Sequence, residues 1–146
     1  MSSPQENLQN LLKIGKLKAE PPNQSEFDRL VMSARRKLPD AENAGNSADT
    51  RFTVAYDAAY ALAVAALRWH GYRSENRTLV FQVLVHTLSF PKEKSRLLDH
   101  CHQQRNLALY EGEGPPNEQL IRELIAVAKD LQAAVATLGP VKTAPR

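Results

Sequence analysis

Four polar side chains crowd into one short stretch, His102-Gln103-Gln104-Arg105-Asn106-Leu107-Ala108-Leu109-Tyr110-Glu111-Gly112. On a helix, His102, Asn106 and Tyr110 recur every four residues and stand nearly above one another, with Arg105 beside them. One helix edge then presents an imidazole, a guanidinium, an amide and a phenol. A guanidinium takes a phosphate through two parallel hydrogen bonds. An imidazole moves a proton near neutral pH. A phenol with an ordinary pKa near ~10 donates a hydrogen bond there and does not act as a base. The chemistry on offer is phosphate binding, with proton transfer at His102. The competing reading is a solvated helix edge on which Arg105 pairs with Asp99 or Glu111.

Other reactive residues point to less. His100-Cys101-His102 suggests a metal, but adjacent helical side chains diverge by about 100°, so the three cannot share one ion. No second cysteine exists, and no metal or cofactor is expected. Cys101 suits a small core position and His86 a hydrogen-bonded packing position. Tyr56 and Tyr60 form an i, i+4 pair with apolar bodies and wet hydroxyls. Asp57 lies between them, exposed or partnered. Gly112-Glu113-Gly114 is no phosphate cradle, because its glutamates repel anions and no strand precedes it. No Ser/His/Asp order, paired-carboxylate site or dinucleotide fingerprint stands out.

The elements that must hold this edge are helices. Ser3-Pro4-Gln5-Glu6 makes a capped start for a short N-terminal helix with Leu8, Leu11, Leu12 and Ile14 as its stripe, followed by a connector over 15–24. Ser25 is the expected cap of a second helix through Phe27, Leu30, Val31, Ala34 and Leu38, which Pro39 should end or kink. Ser47 caps the third, from Phe52 to Trp69 with Gly71 as its stop. Its many alanines allow close approach on several sides, which suits the centre of a bundle. After a polar turn over 72–76, a fourth helix carries Leu79, Val80, Val83, Leu84 and Leu88. Its β-branched content is strand-like, but no partner strand is evident. Pro91 opens a fifth helix that buries Leu97, Leu98, Cys101, Ala108 and Leu109 and ends at Gly112. Asn117 caps the last, whose apolar face runs from Leu120 to Leu138, and a disordered tail is expected over 139–146. The fold class is all-α, an up-and-down bundle of four to five main helices plus the short N-terminal one.

The chain of 146 residues suits one domain, 1–146, with 42% hydrophobic and 24% charged residues. A net charge of +3 permits an anionic partner without demanding one, since the basic residues are scattered apart from Arg35-Arg36-Lys37. A single cysteine allows no intrachain disulfide and fits a reducing compartment. No signal peptide is expected from Met1–Glu6, and the apolar run from Ala58 to Leu67 is too short to span a bilayer. A soluble cytoplasmic protein without membrane attachment is the expectation.

The segment Arg105 to Gly112, preceded by the helix Arg51-Phe52-Thr53-Val54-Ala55-Tyr56-Asp57-Ala58-Ala59-Tyr60, resembles the HEPN superfamily of higher eukaryote and prokaryote nucleotide-binding domains. The likeness runs from about residue 5 to 138. It is closest to small stand-alone prokaryotic members with an Arg-Asn-x-x-x-Tyr ending. It implies a helical bundle that dimerises and sets two motifs across one cleft. Arg105 would bind a phosphate and Asn106 support it, with Arg51 and Tyr56 as further ligand-binding candidates. Many relatives are metal-independent ribonucleases, including toxins paired with a nucleotidyltransferase-type antitoxin. In these a His stands five residues after the Arg; here that position is Tyr110. The resemblance therefore implies a homodimeric module binding a nucleotide, RNA or a protein partner. The alternative is a metal-independent RNA endonuclease using Arg105 and Asn106 with Tyr110 or His102.

Overall fold

A computed structural model of the chain describes residues 3–142. It is an all-α helical bundle with one minimal ribbon. In chain order come α1 (Pro4–Lys13), β1 (Lys18–Ala19), α2 (Gln24–Glu42), α3 (Ala48–Trp69), β2 (Tyr72–Arg73), α4 (Arg77–Gln82), α5 (Leu84–Thr87), α6 (Lys92–Glu111) and α7 (Glu118–Ala136). Helix α3 is the centre and touches α2, α4, α5, α6 and α7. Its alanines at 55, 58, 59, 61, 63, 65 and 66 are buried on several faces, together with Phe52, Tyr56, Leu62 and Leu67. Small side chains let the flanking helices close in, as ridges meeting grooves require. No helix among the described residues is long and apolar enough to cross a membrane.

Several boundaries follow the caps expected from sequence. Ser3, Ser47 and Asn117 each accept a backbone N–H from three residues on, and Gly112 ends α6 in the left-handed region at φ 71°. Others depart. Helix α2 is capped by Asn23, whose side chain accepts the Glu26 N–H at 2.8 Å, while Ser25 accepts from Arg29. Asn ranks with Ser as a cap, and here it lies two residues closer to Pro21-Pro22. Pro39 does not end α2. It is exposed, so the carbonyl it leaves unpaired faces water, and buried Leu38 and Ala41 anchor the final turn on the core.

The expected fourth helix is two pieces that meet at Val83, the C-cap of one and the N-cap of the other. The β-branched residues that lend the segment its strand-like look also weaken it as a helix. The break sets α5 against α1, where the Asn7 amide meets the His86 ring at 3.3 Å. The residues expected as connector and polar turn pair instead, Lys18 with Arg73 and Ala19 with Tyr72, antiparallel. Beneath them lies Arg68, 3% exposed, which donates to the carbonyls of Glu20 and Pro21 and pairs with the Glu26 and Glu20 carboxylates. A buried guanidinium holds its place only when its donors are met, and this one clamps α2 and α3 to the ribbon.

The tail is more ordered than expected up to residue 142. The Gly139 carbonyl accepts the Trp69 indole N–H at 3.1 Å and the Val141 N–H donates to Gln24 at 2.8 Å. Residues 143–146 of the expected disordered tail lie outside the described residues.

Candidate functional site

The polar edge of α6 does form, and it faces α3. Up to Cys101 the helix buries residues in the body; from His102 onward it buries none. Leu109 and Ala108, expected on its buried side, are 57% exposed and half-buried respectively. The last turn therefore leaves the core, and the side chains of Leu109 and Tyr110 are open to a partner or ligand.

Tyr56 of α3 is the hub. It is fully buried, and its hydroxyl lies 2.9 Å from His102 Nδ1. The guanidinium of Arg77, at the start of α4, donates to the same oxygen at 3.4 Å. Arg105 lies over the Tyr56 ring at 5.1 Å from its centre, within cation–π range. Tyr60 stacks alongside at 6.5 Å, and Phe81 meets both tyrosines edge-on. On the far side of the imidazole, the Asn106 amide stands 3.4 Å from His102 Nε2. The structure thus joins Tyr56, His102, Arg105 and Asn106.

Proton positions follow from this network. Arginine only donates, so the Tyr56 oxygen accepts from Arg77 and its own proton goes to His102 Nδ1. The neutral ring then carries its proton on Nε2, facing Asn106, whose amide oxygen accepts it once the side chain is turned accordingly. A charged His102 would have to push a second proton at the Tyr56 oxygen, next to two arginines. Burial, then the positive charge of Arg77, lower the His102 pKa below 6.5, and Arg105 adds to this against the opposing pull of Asp99. Burial raises the Tyr56 pKa, so the phenol keeps its proton. At neutral pH the Asn106 oxygen takes the Nε2–H, and the edge offers outward the Arg105 guanidinium and the Asn106 amide N–H donors.

Two predicted site residues stand apart. Tyr110 is 79% exposed and reaches the cluster through no hydrogen bond among the described residues. Arg51 is engaged elsewhere: it donates to the Ala41 carbonyl at 3.1 Å and pairs with Glu118 at 2.7 Å, tying α2, α3 and α7. Arg105 itself has no ion pair among the described residues, so the pairing with Asp99 or Glu111 that a plain solvated edge calls for is not made.

Sequence reasoning missed Arg77. Nothing in its spacing ties it to Tyr56, because the two sit on different helices 21 residues apart. Cys101 is buried and its thiol pKa is pushed up to about 12 by burial, which keeps it protonated and unreactive. Among the described residues, no group of three or more His, Cys, Asp or Glu side chains could hold a metal ion. Compared with family models, curated proteins and solved structures, the chain matches none.

Proposed function

We propose that this chain is a HEPN-like helical module that binds a phosphate-bearing partner, RNA or a nucleotide, on the Arg105/Asn106 edge of α6. The observation that carries the reading is the guanidinium of Arg105. It is half-buried, held over the Tyr56 ring and left without a carboxylate. Such a group binds a phosphate with two hydrogen bonds at little reorganisation cost. His102 supports it through Asn106: the neutral ring donates Nε2–H to the amide oxygen and turns the amide N–H outward as a donor. That tautomer leaves no ring nitrogen free to take a proton, so binding ranks ahead of cleavage.

The resemblance to HEPN proteins adds a homodimer, in which two copies meet through the free ends of α6. The apolar bodies of Leu109 and Tyr110, 57% and 79% exposed, are available to that contact. A protein partner of antitoxin type would compete for the same face.

Isothermal titration with short RNAs and mononucleotides tests the reading. The wild type should bind, and Arg105→Ala should lose about ten- to a hundredfold in affinity, the worth of charge-assisted hydrogen bonds. Equal and negligible binding by both proteins counts against it. RNA cleavage in excess chelator, abolished by Arg105→Ala, would replace the binding module with a metal-independent endonuclease.

A further inference from the structure

Two half-buried cations, Lys37 and Arg77, share one cleft with a single carboxylate, Asp57, that pairs with neither among the described residues. The cleft, about 380 Å3, opens between α2, α3 and the β2–α4 segment. Lys37, Asp57, Tyr60, Ser74 and Arg77 line it, with apolar surface from the half-buried Leu30 and Val64. Arg73 at its edge is taken up by Glu20 and Glu26. Lys37, Arg77 and Asp57 enter no ion pair among the described residues. Arg77 makes do with the Tyr60 ring, 4.3 Å from its centre, and with the Tyr56 hydroxyl at 3.4 Å. Both contacts are weaker than a bidentate anion.

The opposite charges in this cleft specify a ligand. An anionic head would satisfy Lys37 and Arg77. A bare dianion would also meet the Asp57 carboxylate, so the ligand must carry hydrogen-bond donors as well. The volume falls in the roughly 300–1,000 Å3 range of small-molecule pockets. We propose that this cleft is a second binding site, for a small phosphorylated polyol. Its phosphate lies between Lys37 and Arg77, its hydroxyls donate to Asp57, and its carbon face rests on Leu30 and Val64.

Arg77 belongs to the cleft and to the Tyr56–His102 cluster alike. A phosphate that draws it away frees the Tyr56 oxygen and offsets a positive charge beside His102. Asp99 and Arg105, the other charges acting on that ring, are not part of the cleft. Occupancy therefore makes His102 easier to protonate. The inference does not depend on RNA binding at Arg105.

Calorimetry and amide NMR on the full chain test it, with glucose 6-phosphate, inorganic phosphate, glucose and citrate as probes. Glucose 6-phosphate should bind saturably, shift the amides of Lys37, Asp57 and Arg77, and raise the His102 titration midpoint. Lys37→Ala and Asp57→Asn should each weaken it tenfold or more, while Arg105→Ala leaves it unchanged. Inorganic phosphate and glucose should bind at least tenfold more weakly. Absence of saturable binding by glucose 6-phosphate overturns the proposal, and so does citrate binding as tightly. Shifts confined to α6, or affinity lost only in Arg105→Ala, would return the ligand to the first site and overturn it too. The wild-type amide map decides this even where a variant folds poorly.

Discussion

Tyr56 does more for the candidate site than any residue of the α6 motif. Its ring carries Arg105 and packs on Tyr60, Phe81 and His102, and its hydroxyl sits between Arg77 and the imidazole. Removing that one oxygen tests the hydrogen-bond assignment. Tyr56→Phe keeps the packing but leaves His102 Nδ1 without its donor. Stability should fall by about 1–3 kcal/mol, the cost of an unsatisfied buried group, as read from urea unfolding. The neutral imidazole loses its stabilising partner, so the His102 pKa should move up from its lowered value in an NMR titration. An unmoved His102 would mean that the phenol proton is not on Nδ1. Tyr56 could be picked out from sequence as half of an i, i+4 aromatic pair. Arg77 could not, because only the packing of α4 against α3 brings it there.

At the level of the helix, local chemistry and tertiary contact divide the work unevenly. Caps are decided within four residues, and most were readable: Ser3, Ser47, Asn117 and Gly112 all end or begin helices as their side-chain chemistry requires. The start of α2 was a contest between two good caps, Asn23 and Ser25. Asn23→Ala should cost about 1 kcal/mol, whereas Ser25→Ala removes only an exposed contact to Arg29 and should stay within about 0.5 kcal/mol. Parallel chemical denaturation of the two variants checks the order; equal losses would show that the helix starts later in solution. Helix α6 buries Ser95, Leu98 and Cys101 in its first half and no residue in its second. Its residue pattern barely marks the division, since Leu107, Ala108 and Leu109 look as apolar as Leu97 and Leu98. What differs is the neighbour: the polar loop that follows Gly112 lets the last turn run free of the core.

Across the whole molecule, acid should act in two stages. Burial is the leading cause that lowers the pKa values of His70, His86 and His102 below 6.5. The unfolded chain then binds protons that the folded chain resists, so stability is full above about 6.5 and falls as pH drops below it. Glu20 and Glu26 are lowered from 4.5, Glu20 chiefly by its hydrogen bond from Arg73, and Glu26 by Arg68 and Arg73 against burial. Their contribution is present above 4.5 and is lost as pH falls through their folded values. Melting temperatures should therefore decline below pH 6.5 and decline again below 4.5; a flat profile between 7 and 5 would contradict the histidine assignments. The all-α class and the centrality of α3 were legible in sequence, because amphipathic periodicity, alanine content and caps are properties of neighbours along the chain. So was the spacing of His102, Arg105 and Asn106 along one helix edge. Contacts between distant segments carry no such periodic mark. The ribbon of Lys18–Ala19 with Tyr72–Arg73, the buried Arg68 clamp, the diversion of Arg51 to Glu118 and the arrival of Arg77 at Tyr56 all depend on which helices meet. Charge pairing between such segments is set by three-dimensional distance, and that distance exists only once the core around α3 has closed.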